Sequence, residues 1–114
     1  MKKIVLSFIL FVSSLFIPPS YSAAGEISVG LVVPLSGKLA PAGRAVRNGA
    51  LMAVEEINQT GGIAGKRLQA VIADTSGSRA GASAAAKTLI EDSGVVMLVG
   101  GCASSAALSV GSEA

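Results

Sequence analysis

The hydrophobic positions of this chain change period as it advances. Residues 26–35, EISVGLVVPL, are almost continuously apolar after Ser28, the pattern of a strand buried on both faces. Residues 36–43, SGKLAPAG, read as a loop from their Ser, Gly and Pro. From Arg44 the spacing becomes helical: Val46, Ala50, Ala53 and Ile57 share one face, and Asn48, Met52, Glu55 and Gln59 lie on another. NQTGG at 58–62 ends this helix with flexible punctuation. Residues 66–74, KRLQAVIAD, alternate and then turn apolar, which predicts a second strand, and 75–78 form a polar turn. A second helix is predicted over 79–92, with a stripe of Ala82, Ala85, Ala86, Leu89 and Ile90 suited to close packing on a sheet; Gly94 ends it. VVMLV at 95–99 reads as a third buried strand, and 104–114 as the start of a third helix.

Strand, helix, strand, helix, strand, helix is the order of an α/β fold: a parallel sheet with right-handed crossovers and helices on both faces. Three strands make a poor sheet of this kind. Neither a cap nor a polar tail marks Ala114, so the expectation is the N-terminal part of a longer protein. No internal repeat is visible.

The start of the chain has a different character. A basic head (Met1, Lys2, Lys3), an apolar run of 14 residues from Ile4 to Ile17, Pro18-Pro19 and the small residues of SYSAA at 20–24 are the parts of a secretory signal peptide. A spanning helix needs about 20 apolar residues, which makes a membrane anchor the weaker reading. Cleavage after Ala24 or after Ser22 puts small residues at the required positions; cleavage after Ala23 would put Tyr21 at one of them. No cysteine follows the apolar run to take a lipid. Residues 1–24 are therefore read as the signal peptide and 26–114 as the folded part.

Removing the leader changes the composition. Phe8, Phe11, Phe16 and Tyr21 all leave with it, so the exported part has no aromatic residue. Lys2 and Lys3 leave as well, so the excess of 9 basic over 7 acidic residues disappears. No basic patch points to nucleic acid. The chain has 1 cysteine and 0 histidines. An internal disulfide, Ser-His and Cys-His nucleophile pairs and most zinc sites are thereby excluded within it. No cofactor is implied.

In open parallel sheets ligands bind beyond the carboxyl ends of the strands, where the loops 36–43 and 100–104 are expected. PLSGKLAPAG at 34–43 lacks the Gly-x-Gly-x-x-Gly of a dinucleotide turn. TGGIAGK at 60–66 faintly resembles a phosphate loop, but Thr60 and Arg67 stand at the wrong places and a strand follows instead of preceding. Asn58-Gln59-Thr60 fits the short glycosylation pattern and carries little information. GGCASSAALS at 100–109 fits an anion or zwitterion cradle better. Gly100 and Gly101 let the backbone turn sharply and a ligand come close. Ser104 or Ser105 can cap the next helix, whose free N–H groups attract a carboxylate. A plain serine cap is the competing reading. Cys102 reads as a small buried apolar residue, with no His or Lys nearby in sequence to activate it.

Residues 27–74, ISVGLVVPLSGKLAPAGRAVRNGALMAVEEINQTGGIAGKRLQAVIAD, followed by the Ala-rich helix and VVMLVGGCASSAAL, resemble the leucine/isoleucine/valine-binding family of periplasmic solute-binding proteins. The ordered features are Pro-Leu-Ser-Gly after a strand, a Gly before the first helix, Asn-Gly-Ala on it, Glu-Ile-Asn, Gly-Gly-Ile-x-Gly-Lys-Arg-Leu and a strand ending in Asp. The resemblance covers nearly all of 26–114. It implies a two-lobed type I periplasmic-binding fold, of which this chain would be the incomplete first lobe. It implies no enzyme but a protein that closes on a small solute and hands it to the membrane permease of an ABC importer.

In that family a serine just after the third strand binds the carboxylate of an amino acid. The position falls on Ser104, with Ser105 one step away. The candidate ligand-binding residues are thus Gly101, Ala103, Ser104 and Ser105. The pattern also departs from the family. Ala42 stands where branched-chain binders carry a tyrosine against the ligand, leaving room for a larger solute or a gap filled from lobe two. Gly77 and Ala103 stand where some members pair two cysteines, and Cys102 is one position off. The alternatives are an extracytoplasmic sensory domain of the same fold, or an exported α/β enzyme with Ser104 or Cys102 as nucleophile and its partner elsewhere.

Overall fold

The computed structural model describes residues 25–114; the leader expected over 1–24 lies outside them. Three strands, β1 (Glu26–Val33), β2 (Arg67–Asp74) and β3 (Met97–Gly100), alternate with three helices, α1 (Ala40–Gln59), α2 (Arg79–Asp92) and α3 (Ser104–Glu113). The sheet is wholly parallel in the order β2-β1-β3, so β1 is central. Leu31, Val32 and Val33 are correspondingly 2%, 1% and 0% exposed, as the continuous apolar run predicts.

Val32 packs with Ala85 and Leu89 of α2 in a core that gathers Val71, Ala73, Val95, Leu98 and Val110 around it. The predicted α2 stripe is the observed one: Ala82, Ala85, Ala86 and Leu89 are buried and Ile90 is half-buried. Its start is also where the sequence places it. Ser78 is the N-cap, and its hydroxyl accepts the Gly81 N–H at 3.0 Å.

The first helix differs from expectation in its start and its rotation. It begins at Ala40 instead of Arg44, with Pro41 in its first turn. Proline reads as a breaker in the interior of a helix, but in the first turn its fixed φ suits the helix and its missing N–H costs nothing. The inward face runs through Ala40 and Gly43, which are buried, and Ala50, Val54 and Ile57, which are half-buried. Val46 and Ala53, expected inside, are exposed. Gly43 decides the rotation. A Cβ there would lie 1.7 Å from the Pro34 carbonyl oxygen, so that face alone can approach the end of β1 so closely.

Asn58 is part of α1's last turn and not of a loose linker. Its amide donates to Leu68 O and its carbonyl accepts from Leu68 N, both at 2.8 Å, fastening the helix to β2. The glycine-rich stretch after it folds back through paired Ile63 and Lys66 bonds of 2.9 Å each. Ala64 and Gly65 at the tip have φ of 51° and 75°, the double positive φ of a tight hairpin turn. TGGIAGK is therefore a turn.

The third strand is an edge, not a buried strand as its apolar run suggests. Met97 is 55% and Val99 41% exposed, and Val96 just before it 72%. Apolar character reports the capacity to be buried; the strand order decides which neighbours exist to do it. β3 also starts two residues later than expected and ends at Gly100.

Candidate functional site

Because all three strands are parallel, the turns after them meet at one end of the sheet. Three sets of bonds hold them there. After β1, the Leu35 N–H donates to Asp74 Oδ1 at 2.7 Å. After β2, the Ser76 N–H donates to the same oxygen at 2.8 Å, and the buried Thr75 extends the ladder through its N–H to Val33 O at 3.0 Å. After β3, the Gly101 N–H donates to Val32 O at 3.2 Å.

Gly100 makes the last of these possible. Its φ is 143°, and a Cβ there would lie 2.0 Å from Val32 O. The expectation that Gly100 and Gly101 serve a sharp turn holds. The close approach they permit is to the chain itself: the backbone of β1 for Gly100 and Ala107 of α3 for Gly101.

The same bonds perturb the acidity of Asp74. The Leu35 N–H above all, then the Ser76 N–H and the Ser36 hydroxyl, hold its carboxyl below the usual carboxylate value. These donors favour the charged form, and the slight burial that opposes them is outweighed.

The α3 terminus corrects the capping expectation. Ala103 is the N-cap, with extended backbone at φ −130° and ψ 140°, and no side chain caps the helix. Ser104 and Ser105 occupy its first turn, while Ala106 and Ala107 donate to Ala103 O at 3.0 and 2.9 Å. The N–H groups of Ser104 and Ser105 have no carbonyl one turn earlier in the helix to accept them. They lie at the positive end of the helix dipole.

A small pocket of about 20 Å³ opens beside this terminus, lined by Pro34, Leu39, Thr75, Gly77, Cys102, Ala103, Ser105 and Ala106. Of the four candidate ligand-binding residues, Ala103 and Ser105 line it. Gly101 lies close against Ala107 of α3 and is not part of the lining. Ser104 is exposed on the first turn of α3, outside the lining. Cys102, expected to be buried packing, is half-exposed at this wall and unpaired. Ala42 is exposed in the first turn of α1 and not in the loop before it.

Sequence reasoning missed Asp74 as the tie between two turns, and Thr75, Pro34 and Leu39 as lining. The available signal was a carboxylate at the last position of an otherwise apolar strand. A charge placed there faces the next strand's turn, whose free N–H groups it can accept.

The fold has counterparts among known proteins. A family model described as periplasmic binding protein matches residues 26–113. A Leu/Ile/Val-binding protein from Rhizobium johnstonii is 39% identical over 88 residues, 77% of this chain and 24% of that protein. A leucine-, isoleucine-, valine-, threonine- and alanine-binding protein from Pseudomonas aeruginosa is 42% identical over 87 residues, 75% of this chain and 23% of that protein. Among solved structures, a branched-chain amino acid transporter substrate-binding protein from Streptococcus pneumoniae, in complex with isoleucine, matches with a TM-score of 0.75 at 35% identity. That match covers 77% of this chain and 25% of the other. The chain thus spans about a quarter of the length of the relatives it matches. The family match runs from the start of β1 to the end of α3: this chain belongs to the periplasmic binding proteins, in their leucine/isoleucine/valine-binding group, and has the α/β architecture of their type I fold.

Proposed function

We propose that this chain is the first part of lobe one of the substrate-binding component of an ABC-type importer. It is exported by the leader at 1–24 and holds an amino acid, or a related small carboxylate or amide, in the periplasm. The observation that carries the reading is the uncapped start of α3 at the carboxyl end of the sheet. Two serine N–H groups and two hydroxyls stand there beside a pocket, in a chain of the periplasmic binding protein family. A carboxylate is the natural partner of such a terminus.

The size of the pocket says what else is needed. A site that encloses a small molecule has a volume of several hundred Å³, and about 20 Å³ holds little more than a water. The solute would therefore rest on this wall and be enclosed by a second lobe. The 114-residue chain by itself is expected to show no heat of binding with amino acids, since half the cleft is absent and β3 presents an apolar edge.

The test is calorimetry on the intact two-lobed protein with L-leucine, L-isoleucine, L-valine, their amides and small aromatic acids. One-to-one binding of at least one is expected; silence across all these classes refutes the reading. Ser104→Ala is expected to weaken binding of a carboxylate solute by about 1–3 kcal/mol, the cost of leaving a charged partner short of a bond. An unchanged affinity would move the assignment to Ser105 or to backbone groups.

A further inference from the structure

We infer that Asp74 is a positioning residue for the solute wall, holding the turn after β1 docked against the turn after β2 before any solute arrives. The inference rests on the solute-binding reading for its consequence, but the clasp itself is a matter of geometry. One carboxylate oxygen, Oδ1, accepts two backbone N–H groups from different turns, Leu35 at 2.7 Å and Ser76 at 2.8 Å. Leu35 and Asp74 are 39 positions apart in sequence, so this bond is tertiary and not a local turn bond.

Both turns contribute directly to the pocket: Pro34 and Leu39 from the first, Thr75 and Gly77 from the second. The second turn is fixed independently. Thr75 is 2% exposed and bonds Val33 O, its own Oγ1 accepts the Gly77 N–H at 3.3 Å, and Ser78 caps α2. The first turn has less to hold it: Ser36, Gly37, Lys38 and Leu39 are all exposed. Its bonds to Gly37 O from the Ala40 N–H at 3.2 Å and to Leu39 O from the Gly43 N–H at 3.0 Å only join it to the start of α1, while toward the second turn it is held by Asp74, which takes the Leu35 N–H and the Ser36 donors. The rigid turn thus anchors the loose one through a single side chain. The donors' depression of the Asp74 carboxyl keeps it charged across the neutral and mildly acid range, so the clasp is closed wherever the protein works near neutrality.

The consequence is a preorganised wall. If removing the clasp leaves the turn docked in only about one molecule in ten, apparent affinity falls about tenfold. Asp74→Ala removes both bonds. Asp74→Asn keeps an Oδ1 acceptor in the same place without the charge, so it is the rescue variant. The experiment is amide hydrogen exchange on the intact protein, solute-free and with L-isoleucine, combined with calorimetry on the wild type, Asp74→Ala and Asp74→Asn.

Protection of the Leu35 amide in the solute-free wild type is expected. Asp74→Ala should lose it and bind L-isoleucine about tenfold more weakly, while Asp74→Asn retains most of both. A Leu35 amide that exchanges freely in the solute-free wild type overturns the clasp without any variant, even should Asp74→Ala fail to fold. An Asp74→Ala protein that loses protection but binds as the wild type does overturns the positioning role. A wild type that binds none of the solutes, yet protects Leu35 only when Asp74 is present, sinks the solute-binding reading and leaves the clasp standing.

Discussion

Two glycines of α1 should respond oppositely to alanine. Gly43 is buried against the end of β1, and a Cβ there would sit 1.7 Å from Pro34 O and 2.6 Å from Pro34 C. Both are backbone atoms, so no rotamer change relieves the overlap. Reaching an ordinary contact of about 3.5 Å requires α1 to retreat by about 2 Å. That retreat would loosen Ala40 and the half-buried Ala50 and Val54 along the same face. Overpacking of this kind costs about 1–3 kcal/mol. The opposing gain, alanine's better helix propensity, is at most about 1 kcal/mol and less near a helix start. The overlap wins, and Gly43→Ala is expected to destabilise by about 1–2 kcal/mol net.

Gly49 lies mid-helix on the same element and is exposed, and a Cβ added there would meet nothing within 4 Å. There propensity acts alone, and Gly49→Ala should stabilise by about 0.5–1 kcal/mol. The measurement is urea unfolding of the intact protein, followed by far-ultraviolet circular dichroism because residues 25–114 carry no aromatic reporter. Gly43→Ala at wild-type stability, or both variants moving in the same direction, would refute the tight approach of α1 to Pro34.

Further expectations rest on single interactions. Asn58→Ala removes both bonds to Leu68 and should cost about 1–3 kcal/mol in the same unfolding assay, because it strands half-buried backbone groups; an effect below a few tenths would show that water replaces the amide. Asp74 has a folded pKa below its ordinary value, so its contribution is fully present above the usual carboxylate value and is lost as pH falls through the lowered one. The stability gap between wild type and Asp74→Asn should therefore be constant near neutrality and close only in strong acid; a gap that opens on acidification contradicts the sign. Cys102 is half-exposed at the pocket wall, so it should alkylate with a maleimide in the solute-free intact protein and be slowed by saturating L-isoleucine. Equal rates would place the solute elsewhere, and labelling accompanied by catalytic turnover would favour the enzyme reading.

Local periodicity, with one apolar face per element, was enough for the element order, the parallel α/β class and the inward stripe of α2. The family was equally legible, through ordered motifs that include the two-residue turn of TGGIAGK and the Gly-Gly at the end of β3. Which apolar residues are buried was not, because burial depends on neighbours that packing supplies. α1 carries apolar residues such as Val46 and Ala53 that stay exposed beside its inward face, and its rotation follows from the fit of Gly43 to Pro34, 9 positions earlier in the chain. β3 is as apolar as β1 but lies at the edge, since strand order is a property of pairings between distant segments.

The candidate site divides in the same way. The placement of Gly101, Ala103, Ser104 and Ser105 around the start of α3 was legible because strand end, turn and helix start are consecutive; that only Ala103 and Ser105 line the pocket was not. Asp74 was not, because its role is a bond across 39 positions to an N–H that any residue but proline would offer. A side chain that recognises backbone leaves no mark on the identity of its partner; folding alone brings the two together.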